Sequence, residues 1–140
     1  WMQQSRLRQY GVMRAIDTNV VVRFLAIDDP EQSRKAKSAI EGGAIFIPTT
    51  VLLEAEWVLR SAYGYAPEAI CTALRHLAGL PQVTLEHPPV VARALDLVDS
   101  GMDFADALHL CASEECTSFL SFDQRLAKSA RKNGMKVELL

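Results

Sequence analysis

Five acidic side chains have the types and surroundings to do chemistry. Asp17 follows the short apolar run Ala15-Ile16, and Asp123 follows Phe119-Leu120-Ser121-Phe122. Asp103 and Asp106 stand three apart, a spacing that puts both on one face of a helix. Glu54 lies inside Val51–Leu59, a segment otherwise almost wholly apolar. Two carboxylates ~4 Å apart repel by about 4 kcal/mol at an effective dielectric of 20, so a convergent set requires divalent cations or altered protonation. The acids have no cluster of His or Cys beside them, and hard oxygen ligands favour Mg²⁺ or Mn²⁺ over Zn²⁺. An acidic cage of that kind suits phosphodiester hydrolysis, because a divalent ion acidifies a water and stabilises charge on the departing oxygen.

Each of these acids also has a structural use. Asp is a preferred N-cap, and Asp in a first turn suits the helix dipole. Asp103 with Asp106 resembles an acidic version of a capping box. Glu54 is the hardest to explain this way, since its helical neighbours at three and four positions are Thr50, Val51, Trp57 and Val58. A carboxylate on an apolar helix face needs a cation or hydrogen bonds. Glu56 has Arg60 four residues on, which gives it an ordinary solvated partner.

The elements that would position these groups alternate. Arg14–Ile16 reads as a strand leading into Asp17, and 20–27 as either a second strand or a buried helix capped at Asp17 or Thr18. Asp29-Pro30 marks a cap with Pro at the first helical position, opening a helix to about Ile40 that stops at Gly42-Gly43. A strand at 44–47 precedes a helix from Pro48-Thr49 to about Ala62, and a helix from Pro67 ends near Gly79. An edge strand at 83–85 is followed by helices at 88–98 and from Asp103 to about Glu115. The chain then reads as a strand at 117–122, a helix at 124–132 and a last strand at 136–140. Short strands alternating with longer helices give one α/β domain with a mostly parallel sheet. Asp17 and Asp123 then fall at carboxyl ends of strands, where open α/β sheets hold their ligands.

With 140 residues, 49% apolar and 23% charged, the chain has the balance of one globular domain that holds a core without staples. Residues 1–12, beginning at Trp1, read as a leader, a cloning remnant or an upstream extension, and 13–140 as the domain, with Met13 as its start. No apolar run reaches the ~18 residues of a membrane-spanning helix. Three scattered cysteines, Cys71, Cys111 and Cys116, read as buried or idle thiols in a reducing, cytoplasmic compartment. The absence of a G-x-x-x-x-G-K-[ST] excludes a P-loop nucleotide site. The absence of any Asp between Asp29 and Asp96 removes the phospho-accepting residue of a receiver domain.

Ala15-Ile16-Asp17-Thr18-Asn19, Glu54 in a helix after a short strand, Phe104-Ala105-Asp106-Ala107-Leu108 and Ser121-Phe122-Asp123 together resemble the PIN domain. The nearest likeness is to the VapC-type toxins of bacterial toxin–antitoxin pairs, over roughly residues 13–140. The resemblance implies a three-layer α/β/α sandwich around a mostly parallel central sheet, and a metal-dependent ribonuclease. Carried over, Asp17, Glu54, Asp106 and Asp123 match the family's catalytic, metal-holding acids, and Asp103 an additional acid present in some members. Thr18, Asn19 and Ser121 match small polar supporting positions. Residues 20–25 become helical. Phe122 departs from the many relatives that carry a polar or basic residue before the last Asp. The resemblance also implies Mg²⁺ or Mn²⁺ as cofactor, an RNA substrate, homodimers, and an antitoxin whose tail crosses the active-site groove.

The net charge of −2 argues against non-specific coating of nucleic acid. Setting the four matched acids aside, however, leaves 15 basic against 13 acidic side chains. Between Gln124 and Val137 the chain carries Arg125, Lys128, Arg131, Lys132 and Lys136 with no acid. That run is either a solvated helix face or an RNA-contacting edge, the latter formed by Arg125, Lys128, Arg131 and Lys132. Trp57 reads as core or a dimer face, and His109 as a core or hydrogen-bonded histidine despite its place three after Asp106. Two alternatives stay open beside the toxin: a housekeeping PIN nuclease in RNA processing, and a non-catalytic association module with a vestigial acidic site.

Overall fold

The computed structural model describes residues 12–140, so the segment read as a leader lies outside the described residues except for Val12. Seven helices and five strands alternate among the described residues. They fall into two compact units that divide between Pro88 and Pro89.

In the first unit, β1 (Arg14–Ala15), β2 (Ile45–Ile47) and β3 (Val83–Leu85) form a sheet in that order, and every pairing is parallel. Parallel neighbours need crossovers, which the helices α1 (Thr18–Leu25), α2 (Pro30–Glu41), α3 (Thr49–Ser61) and α4 (Pro67–Ala78) supply. The open choice at 20–27 resolves as helix. Asp17 is its N-cap, with Oδ1 accepting from the Val20 N–H at 3.1 Å. Val21 and Val22 turn inward, while Ile27, beyond the helix, is exposed. Asp29 caps α2 in the same way, with Pro30 at its start and Gly42 at its end. Helix α1 packs on both α2 and α3, and α4 packs on α3 and β3. Ile40, Ile45, Ile47, Leu52, Leu59, Leu74 and Leu77 are buried in this unit.

Helix α3 corrects the reading of its two glutamates. Its buried stripe is Leu52, Ala55, Glu56 and Leu59, so Glu56 is inside and Glu54 is exposed. Glu56 is only 7% exposed and is neutralised by Arg60, whose Nε donates to Oε2 at 2.9 Å. The segment is apolar nearly all round, so its inward face is chosen by packing rather than by composition. Trp57, read as core or a dimer face, lies 58% exposed.

The second unit holds α5 (Pro88–Asp99, its first residue at the boundary), α6 (Phe104–Ala112), β4 (Phe119–Ser121), α7 (Gln124–Lys132) and β5 (Val137–Leu139). β4 and β5 pair in parallel, Phe119 opposite Val137 and Ser121 opposite Leu139, with α7 as the crossover packed on both. Asp17 and Asp123 thus both follow strands, but of different sheets. Helix α6 stops at Ala112 instead of about Glu115. Ser113 ends it, its hydroxyl donating to the His109 carbonyl and its N–H to that of Leu110. Leu95, Phe104, Leu110, Leu126 and Ala130 are among this unit's buried residues.

The mixed α/β class with parallel strands agrees with the sequence. No helix among the described residues is long and apolar enough to cross a membrane.

Candidate active site

The second unit gathers three of the five acids. Asp103, Asp106 and Asp123 line one cleft of about 270 Å³, together with Gly101, Met102, Arg125, Leu126 and Ser129. The approach to it is a tight reversal after α5, where Gly101 takes φ +103°, a conformation that side chains with a Cβ rarely adopt. Asp103 follows as the N-cap of α6, its Oδ2 accepting the Asp106 N–H at 3.1 Å.

Asp123 caps α7 more fully. Its Oδ1 accepts from the Arg125 N–H at 2.9 Å and the Leu126 N–H at 3.1 Å. The Asp123 N–H in turn donates to Ser121 Oγ at 3.0 Å. Ser121 therefore holds the chain that carries Asp123. For Asp17 and Asp123 the cap engages one carboxylate oxygen, so capping and metal ligation are compatible uses of one side chain.

Asp106 differs from the other acids because it is half-buried in the first turn of α6. Burial pushes its carboxyl above the ordinary value, and the like charges of Asp103 and Asp123 push it further. His109, one turn on, pulls it partly back. His109 is exposed, not a core histidine, and its influence on Asp106 follows from the three-residue spacing visible in the sequence. Arg125 belongs by sequence to the basic run; the structure also puts it among the acids of the cleft.

The remaining site residues belong to the first unit. Asp17 is exposed at the carboxyl end of β1, Thr18 and Asn19 open α1, and Glu54 is exposed on α3, which packs against α1. Among the described residues, no group of three or more His, Cys, Asp or Glu side chains is arranged to hold a metal ion. The donor chemistry nevertheless fits a hard divalent cation. The cleft offers only carboxylate oxygens from its acids, and their repulsion, registered at Asp106, is what such an ion would relieve.

On α7, Arg125, Lys128 and Lys132 are exposed. Arg131, also exposed, has its Nη2 committed to the Val137 carbonyl at 2.9 Å, tying the helix to β5. Of the cysteines, Cys71 and Cys111 are buried and Cys116 is exposed.

An α/β chain with an acid-lined cleft beside a strand end and helix caps has the build of a hydrolase. More particularly, it matches the PIN domain over residues 15–132, a stretch that spans both units, and it belongs to that family. PIN domains are generally nucleases acting on RNA, and they typically use divalent metals. No curated protein matches the chain.

Proposed function

We infer that the protein is a Mg²⁺- or Mn²⁺-dependent endoribonuclease, the toxin of a type II toxin–antitoxin pair. The observation that carries the nuclease reading is the cleft that brings Asp103, half-buried Asp106 and Asp123 together with Arg125. Asp106, Asp123 and Asp103 would hold the cation there, and the family resemblance adds Asp17 and Glu54 as further acids. When bound, a divalent ion supplies an acidified water and a counter-charge for the departing oxygen.

The chain's own residues do the rest. Asp103 and Asp123 are oriented by the helix N–H groups they accept, so their carboxylates are fixed before substrate arrives. Ser121 steadies Asp123 through its N–H. Arg125 places a cation at the cleft to receive a phosphate, and Lys128 and Lys132 continue that charge along α7. Thr18 and Asn19 support Asp17. Residues 13–140 act as one domain that forms homodimers in the cytoplasm. The toxin assignment rests on the likeness of the Asp17, Glu54, Asp106 and Asp123 motifs to VapC-type toxins, and the antitoxin is the expected protein partner.

The test is cleavage of mixed tRNA and rRNA by antitoxin-free protein with Mg²⁺, Mn²⁺ or EDTA, alongside Asp106→Asn. Metal-dependent cutting that the variant lacks supports the reading. Equal activity of variant and parent overturns the site. Co-purification of a small DNA-binding protein encoded beside the gene would support the toxin role.

A further inference from the structure

Phe122 is 80% exposed, level with Ile27 as the most exposed of the large apolar side chains among the described residues. Single exposed apolar residues are common and need no explanation. Phe122 differs because its neighbours on both sides are fixed and chemically committed. Before it, Ser121 pairs with Leu139 in the two-stranded sheet and its Oγ accepts the Asp123 N–H at 3.0 Å. After it, Asp123 is anchored to the N–H groups of Arg125 and Leu126. The backbone carrying the ring is thus held at both ends, one residue from a carboxylate that lines the cleft.

The surroundings select the occupant. Two residues beyond Asp123, Arg125 lines the same cleft, and Lys128 and Lys132 are exposed further along α7. Helix α7 carries four basic residues and no acidic one. A polyanion drawn along that helix comes to the cleft with its backbone on cations, and the open ring at the helix's start is apolar and flat. Single-stranded nucleic acid presents that combination: phosphates for the cations and an unstacked base for the ring.

We propose that Phe122 is a stacking platform for a nucleobase next to the phosphate held in the Asp103–Asp106–Asp123 cleft, and so a specificity-determining residue for single-stranded RNA. The inference rests on the nuclease reading for the cleft, but stacking itself is measurable without turnover. The ring positions the strand by its face, tolerates different bases, and favours those that stack most strongly.

The experiment measures the affinity of full-length parent, Phe122→Ala and Phe122→Trp for a fluorescein-labelled single-stranded oligoribonucleotide in EDTA. A series of the same oligonucleotide with one abasic site moved along it is titrated in parallel, and cleavage is scored separately with Mn²⁺. Phe122→Ala should bind about 5- to 150-fold more weakly, the equivalent of about 1–3 kcal/mol for one stacked base. Phe122→Trp should restore binding. An abasic site at one position should weaken the parent by a similar factor and leave Phe122→Ala unaffected, the non-additivity of two groups that touch.

Equal binding by parent and Phe122→Ala overturns the proposal. If the parent cleaves RNA but shows no coupling between ring and base, stacking fails and the nuclease reading stands. If coupling is present and no divalent ion supports cleavage, stacking stands and the nuclease reading fails. A parent that neither binds nor cleaves RNA overturns both.

Discussion

Asp103 Oδ2 accepts the backbone N–H of Asp106 at 3.1 Å, so the residue that caps α6 also bears the charge that raises the carboxyl of the residue it caps. Cap and repulsion are separable, because Asn caps as well as Asp but carries no charge. Asp103→Asn should keep α6 intact and lower the Asp106 titration toward its ordinary value, as followed by carbon NMR of the Asp106 carboxyl in metal-free protein. An unchanged titration would leave burial and the Asp123 charge as the causes.

The same raised carboxyl has a consequence for stability. A group whose folded pKa exceeds its unfolded value stabilises the fold while protonated, and that contribution is lost as pH rises through the folded pKa. Metal-free parent should therefore lose stability as pH climbs from the ordinary carboxylate value to the raised Asp106 value. Asp106→Asn should not show that loss and should melt no lower than the parent at neutral pH. Its cleavage of RNA should nonetheless fall ~100-fold or more, the scale of a missing catalytic acid or base. Thermal melts across pH and single-turnover cleavage check the two halves independently.

The two glutamates of α3 make a sharper contrast. Arg60 neutralises a Glu56 side chain that is only 10% exposed, whereas Glu54 faces solvent. Arg60→Ala should cost about 1–3 kcal/mol, because it strands a buried carboxylate. Glu54→Gln should change stability by less than ~0.5 kcal/mol, as exposed substitutions do. If Glu54 serves the active site, its variant loses activity while keeping its melting temperature. Chemical denaturation and cleavage assays on the pair distinguish the two roles.

Much of this architecture is legible in the sequence because it is written in short-range chemistry. Asp29-Pro30, Pro67 and Gly79 start or stop helices through local backbone constraints, and the helices begin and end beside them. The caps at Asp17, Asp103 and Asp123 follow from the same local logic, and they locate these acids on the backbone whatever their chemistry. What is not legible is set by tertiary packing. Val51, Leu53, Trp57 and Val58 suit either face of α3, so the sequence does not show that Glu56, not Glu54, turns inward. For His109 and Trp57 the core alternative fails for that reason: each has apolar neighbours enough to pass for core, and each is exposed. The gathering of Arg125 with Asp103, Asp106 and Asp123 depends on how α6 and α7 are placed within the second unit, which no local spacing encodes.

The exposed cations of α7 should act on RNA through its phosphates. Replacing Arg125, Lys128 and Lys132 together by Gln removes three charges without touching the Arg131 bond to β5. For single strands, the logarithmic salt dependence of affinity weakens by ~0.7 for each phosphate no longer neutralised, so the slope should become shallower by about 2. Affinity measured across a salt series checks this. An unchanged slope would place the RNA backbone elsewhere.

A last prediction concerns the first unit, where Arg23, Asp28 and Tyr63 form a closed triangle joining α1, the loop after it and the residues beyond α3. Arg23 Nη1 donates to Asp28 Oδ1 at 2.7 Å and to the Tyr63 hydroxyl at 3.1 Å, and that hydroxyl donates to Asp28 Oδ2 at 2.8 Å. The Tyr63 hydrogen bond, then Arg23, holds the Asp28 carboxyl below its ordinary value against the opposing effect of desolvation. A depressed carboxyl contributes stability that is present above its unfolded pKa and lost as pH falls through the folded one. The triangle should therefore support the fold at neutral pH and fail in acid. Tyr63→Phe removes the largest of these influences while preserving the ring, so it should raise the Asp28 titration and melt below the parent at neutral pH. The two proteins should converge once pH falls below the parent's Asp28 value, because protonation has then dissolved the same interaction in both. Parallel melts that keep their separation down to strongly acidic pH would show that the Tyr63 hydroxyl acts independently of the Asp28 charge, through the bond it accepts from Arg23.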